Sequence, residues 1–139
     1  MKKIKLTLLA FLVFVSLNAQ KKSLNEKLIA CMNEPKFQSW FRICEKEIDT
    51  IYIYDNTQRF INFEPIKISC NKILVAKKSS IKIDVNIFNP NNTDKIVLYN
   101  YEVKKGIHSL HFLNILSNSN MVLEINSENK IVNYSTGSF

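Results

Sequence analysis

The chain changes its hydrophobic rhythm twice. It opens with a basic start (Lys2, Lys3, Lys5), an apolar run from Leu6 to Val15, and a polar stretch reaching Ala19. From Ser23 to Cys44 the apolar positions recur every three or four residues. From Ile48 to the end they alternate with polar ones. Each rhythm predicts a different kind of structure.

The opening has the three-part layout of a secretory signal peptide, with a cut expected after Ala19. The apolar run is about ten residues, well short of the ~20 needed to cross a bilayer. Residues 1–19 are therefore expected to be removed, leaving no transmembrane segment and a protein that is periplasmic or extracellular. Leu17 stands three residues before the cut, where a small residue is usual.

The helical stretch divides in two. Ser23 and Glu26 fit a capping box, followed by Leu24, Leu28, Cys31 and Met32 along one face. Pro35 suits the first turn of a second helix, because its missing N–H costs nothing there. Phe37, Trp40, Phe41 and Cys44 then share a face at i, i+3, i+4 and i+7 and are expected to be core. Residues 20–47 are thus predicted as a short helical hairpin capping the remainder.

The alternating region, residues 48–139, predicts about eight strands. They are Ile48–Tyr54, Pro65–Cys70, Ile73–Lys77, Ile81–Ile87, Lys95–Lys104, Ile107–Leu116, Met121–Asn126 and Ile131–Tyr134. Ile81–Ile87 alternates most cleanly, and Asn89–Asp94 after it reads as a turn. In Lys95–Lys104, Val97, Tyr99, Tyr101 and Val103 are expected on one face. Ile96 and Leu98 on its other face suggest a central strand. Short strands at regular spacing predict an α+β protein, mostly antiparallel β. Its helical hairpin would pack on a β-sandwich or small barrel within one compact domain.

Composition narrows the function. The full chain carries +7, but without residues 1–19 it has 16 Lys/Arg against 12 Asp/Glu, a net +4. Only two of its cations are arginines, Arg42 and Arg59. Arginine dominates base and phosphate recognition, so a nucleic-acid partner is not expected. Only two glycines occur, Gly106 and Gly137. A phosphate-cradling loop, a dinucleotide fingerprint and a Gly-x-Ser-x-Gly nucleophile elbow all need more. Asparagine is expected to take over the turns.

The only two histidines, His108 and His111, stand three apart after the hairpin signal Lys104-Lys105-Gly106. On a strand that spacing sends them to opposite faces, His108 with Leu110 and Phe112, His111 with Ile107 and Leu113. One metal held by both is not expected. The carboxylates form no paired motif, so no cofactor, metal or catalytic residue is assigned. Cys31, Cys44 and Cys70 allow one disulfide in an oxidising compartment. If Cys31 and Cys44 end successive helices they lie more than ~10 Å apart, whereas a bridge needs Cα atoms within about 7 Å. Cys70 is then one partner, and Cys44, just before the first strand, is preferred to Cys31.

What remains is contact surface. Tyr52, Tyr54, Tyr99 and Tyr101 offer large area at low rotamer entropy, and Lys77, Lys78, Lys104 and Lys105 add positive charge. The reading is an exported, non-enzymatic binding protein with a protein partner, such as an inhibitor or immunity-type protein of the cell envelope. Two alternatives accompany it. One is a small envelope hydrolase using His108 or His111. The other is a carbohydrate- or lipid-binding β domain touching an anionic glycan or lipid surface.

Overall fold

The computed structural model describes residues 2–45, 47–60, 63–79, 96–115 and 117–138. Two helices lead, α1 (Lys2–Asn33) and α2 (Pro35–Trp40). Seven strands follow: β1 (Thr50–Asp55), β2 (Ile66–Lys67), β3 (Ile73–Lys78), β4 (Ile96–Lys104), β5 (Ile107–Asn114), β6 (Ser119–Ile125) and β7 (Ile131–Ser138). They form one sheet in the order β2-β3-β1-β4-β5-β6-β7. The chain is α+β, as its two periodicities predict.

Three expectations about the fold need correction. The sheet is open rather than a closed barrel. It is also mixed, since β1 runs parallel to both β3 and β4 while every other pair is antiparallel. Alternation reports which face a residue occupies and says nothing of strand direction, which the connections decide. The expected strand Ile81–Ile87 and turn Asn89–Asp94 lie outside the described residues.

The third correction concerns the helices. α1 runs unbroken through Ser23, so the expected capping box does not begin a helix in the full chain. No glycine or proline interrupts residues 2–34, and leucine, alanine and lysine are all good helix formers. The helix stops where proline demands. Glu34, forced out of the helical region by Pro35, is extended at φ −70° and ψ 120°. Pro35 opens α2 as predicted, but α2 lasts only six residues. Arg42 takes a left-handed φ of 51°. Its N–H donates to Ser39 O, and the Ile43 N–H donates to Gln38 O at 2.9 Å. This is a Schellman ending built on arginine where glycine is usual. The early ending leaves Trp40 exposed rather than in the core.

The core lies between the helices and one face of the sheet. Leu28, Cys31 and Met32 from α1 meet Phe37, Phe41 and Ile43, then Ile51, Ile53, Leu74, Ile96, Leu98, Leu110, Phe112, Met121, Leu123 and Ile125. The Phe37 ring stands edge-on to both Phe41 and Phe112, with centroids 4.6 and 4.8 Å away. In contrast, the apolar side chains of Leu9 and Phe11–Val15 are exposed and take no part in the core. Among the described residues no helix is long and apolar enough to cross a membrane.

Candidate binding face and the groups around it

With one face of the sheet under the helices, every strand presents a second face. β1 alternates cleanly: Ile51, Ile53 and Asp55 are buried toward the helices, while Tyr52 and Tyr54 point the other way. Cross-strand register extends that second face. Tyr52 lies beside Val75, and Tyr54 lies between Lys77 and Val97. Lys77 Nζ sits 3.9 Å from the centre of the Tyr52 ring, a cation–π contact. Further across, Val97 pairs with Leu113 and His111 with Val122; Val97 and Leu113 are buried and Tyr54, Tyr99 and His111 half-buried, so this face is open mainly at Tyr52 and Lys77. Tyr99 meets His111 edge-on at 5.8 Å.

The expected row of four tyrosines is broken by one residue. The β4–β5 register shifts between Leu98 and Asn100. This bulge inserts an extra residue, so alternation restarts with the opposite phase. Tyr99 stays on the open face with Tyr52 and Tyr54. Tyr101 pairs with Leu110 and turns toward the core. The Asn100 side chain holds the bulge, accepting the Tyr101 N–H at 2.9 Å and donating to Glu102 at 3.0 Å. The lysines divide as well. Lys77 lies on the open face, and Lys78 pairs with Asp55 on the helix side. Lys104 reaches Glu102 at 2.8 Å on the rim. Lys105 forms the hairpin tip with Gly106, both at positive φ. The structure thus gathers Tyr52, Tyr54, Tyr99 and Lys77 and separates Tyr101, Lys78 and Lys105 from them.

The histidines fall on opposite faces. His108 lies on the helix side, where its Nδ1 hydrogen-bonds the Tyr101 hydroxyl. Burial, then the positive charge of Lys27, push His108 below its ordinary pKa. In the neutral ring Nδ1 can accept the tyrosine proton, leaving Nε2 protonated. Burial likewise lowers His111, opposed by Glu102 and Glu124. Burial raises Tyr99 and Tyr101, so both phenols stay protonated well into the alkaline range. Arg59 stands 5.7 Å from the centre of the Tyr101 ring.

The bridge joins Cys44 to Cys70, with Cα atoms 5.7 Å apart. Polar contacts position it. Gln38 Nε2 donates to Met32 O and to Ser69 Oγ, while Asn33 Oδ1 accepts the Ser69 N–H. These tie the elbow between the helices to the turn before Cys70. The third cysteine, Cys31, is free but fully buried, and burial drives its thiol pKa well above the ordinary value. None of the three therefore offers the exposed, low-pKa thiol that nucleophilic chemistry requires. Among the described residues no three His, Cys, Asp or Glu side chains converge as a metal site.

Two buried charges escaped the sequence reading. Lys27 is 1 % exposed; its ammonium donates to Asn126 O at 3.2 Å and to Asn129 Oδ1 at 2.9 Å. Asn129 in turn donates to Glu26 at 3.0 Å, so α1 clasps the β6–β7 turn with adjacent charges. Burial lowers the Lys27 pKa, partly offset by Glu26. Its position three after Leu24 and four before Cys31, inside the apolar stripe, is the signal that marks it. Asp55 is equally enclosed. Its Oδ1 accepts from the Thr57 N–H and hydroxyl, and its Oδ2 accepts the Phe60 N–H at 2.8 Å. The run Asp55-Asn56-Thr57 after a strand is an Asx-turn signature. Both charges are held by partners within the fold. Comparison with protein-family models, with curated proteins and with solved structures finds no match to this chain.

Proposed function

We propose that the chain is exported and acts without catalysis, binding a protein partner on the open face of its sheet. The observation that carries the reading is the asymmetry of that sheet. One face is sealed by helices, while the other groups Tyr52, Tyr54, Tyr99 and His111 with the Lys77 ammonium. Tyrosine and a neighbouring cation are the residue types that dominate binding hot spots. An inhibitor or immunity-type role in the cell envelope suits the size, and the positive balance suits an acidic partner. Support for export comes from the disulfide, which persists in oxidising compartments. The exposed apolar segment Leu9–Val15, standing outside the core, suits a removable leader.

The test compares the parent with Tyr52→Ala/Tyr99→Ala in capture from envelope extract. Each hot-spot tyrosine is worth about 2 kcal/mol, so the double variant should lose about a hundredfold in affinity or more. Equal capture by both chains contradicts the reading. A second reading, a carbohydrate-binding face, draws on the three tyrosines sharing one surface. It predicts that glycans, rather than protein, protect Tyr52 and Tyr99 from modification.

A further inference from the structure

The two edges of the sheet are built differently. At one end β2 is two residues long, follows Pro65 and contains Lys67. Those are the usual devices that stop an edge from pairing. At the other end β7 runs eight residues, Ile131–Ser138, and all but two are exposed. It contains no charged residue and no proline. One register shift, between Glu124 and Ile125 of β6, disturbs its beginning and leaves Asn133–Ser138 regular. Every second N–H and C=O along that segment points away from β6, with no strand among the described residues to receive it.

Apolar surface concentrates on the same edge. Val132 is 51 % exposed and Tyr134 44 %. Lys36 of α2 lies 3.8 Å above the Tyr134 ring. Trp40, one helical turn beyond Lys36 on the same face of α2, is 41 % exposed. The edge thus offers backbone hydrogen bonds, bordered by an apolar rim.

We propose that β7 pairs antiparallel with β7 of a second copy across a two-fold axis, joining two seven-stranded sheets into one. Charge argues for a second copy over a different partner. Two copies of a net-positive chain, +4 without residues 1–19, meet with least repulsion along a strip that carries no charge of its own, and this strand is one. An acidic partner would find no cation within the strand, only Lys36 at its helical border, already seated on the Tyr134 ring. Self-pairing also suits the residues at the middle of the regular segment. With Ser135 on the axis it faces itself and Tyr134 faces Thr136, an aromatic–β-branched pair of the kind that is favourable across antiparallel strands. An isologous contact of this kind closes on itself and leaves no second β7 edge exposed. The two-fold relation puts both open faces on the same side of the joined sheet. The dimer does not depend on what those faces bind.

The experiment is a single-cysteine scan, Asn133→Cys through Thr136→Cys, in the full chain, combined with sedimentation over a wide concentration range. Cys31 is fully buried and the other two cysteines are bonded, so the introduced thiol is the one that reacts. Only a residue on the axis faces itself. One position should give a disulfide-linked dimer under mild oxidation, and its neighbours several-fold less. Tyr134→Lys brings two ammonium groups onto or close to the axis and should weaken dimerisation at least about tenfold. Thr136→Lys serves as a second variant, and circular dichroism checks that both fold. A monomer at every concentration overturns the proposal. So does a dimer that cross-links at none of the four positions, the result expected if the exposed Leu9–Val15 segment drives association. Retention of full dimerisation by both folded lysine variants overturns it too.

Discussion

Lys27 is a buried cation whose value to the fold lies in its stem. Two replacements separate stem from charge. Lys27→Ala removes three methylenes from a site that is 1 % exposed. At about 0.8 kcal/mol each, that loses roughly 2.4 kcal/mol, before any cavity term. It also strips the charged donor from Asn126 O and Asn129 Oδ1. Each such bond contributes about 1.5–3 kcal/mol. Against this stands the desolvation of the ammonium, worth several kcal/mol in a buried site, which is why burial depresses its pKa. The polar gains and costs nearly cancel, so the apolar part decides. Lys27→Met keeps that part. Urea unfolding followed by circular dichroism, with the slope unchanged, should show a loss of about 3–4 kcal/mol for Ala and about 1 kcal/mol for Met. Equal losses of 3 kcal/mol or more would refute the reasoning, because the ammonium itself would then hold α1 to the β6–β7 turn. The sign with pH is also fixed. Because the folded pKa lies below 10.5, the cost of burying the charge is present in full below it. That cost is relieved as pH rises through the folded value, a gain that Lys27→Met should abolish.

Other perturbations have equally definite outcomes. Arg42→Gly should raise stability by about 0.5–1 kcal/mol, since arginine is costly at positive φ; its exposed pair with Glu45 adds little. Thermal unfolding checks this, and a fall in midpoint would contradict the Schellman ending. Opening the bridge with Cys44→Ser/Cys70→Ser frees a loop spanning a separation of 26 residues. The cost should be about 3 kcal/mol, measured by denaturant titration. In Asp55→Asn, one amide oxygen can replace Oδ1, but an N–H₂ group then faces the Phe60 N–H across a buried gap. A loss of about 1–3 kcal/mol is expected; unchanged stability would mean the loop carries no such lock. His108 and His111 both have lowered pKa values. Their contribution is present above the unfolded value of about 6.5 and is lost as pH falls through the folded values. Stability should therefore fall as pH drops below about 6.5 and through the lower folded values, and His108→Gln should flatten that drop.

Much of this fold can be read directly from apolar spacing, and the misreadings have local causes. Ile51 and Ile53, Met121, Leu123 and Ile125, and the α1 stripe all lie on the faces their periods assign. β4 is central, as apolar residues on both its faces implied. Alternation cannot register an inserted residue, so the bulge at Leu98–Asn100 hid the divergence of Tyr99 and Tyr101. An aromatic stripe cannot reveal that Arg42 will take a left-handed φ, so α2 looked longer than it is. That early stop leaves Trp40 in solvent. Asparagine does occupy left-handed turn positions at Asn71, Asn118 and Asn129. β7 extends through Ser135, Thr136 and Gly137, residues with weak apolar signal, because pairing with Ser119–Val122 carries it onward. Parallel pairing on both sides of β1 follows from connections that no local pattern encodes.

The most direct test of the open face is to place a photo-crosslinking side chain at Tyr52 or Tyr99 in the cell that makes the protein. Ser39 on α2 and Glu45 just after it, both exposed on the helix side, serve as control positions. The account predicts a discrete protein adduct from Tyr52 and Tyr99 and none from the controls. Adducts of equal yield from both faces, or none from the tyrosine positions, would contradict it.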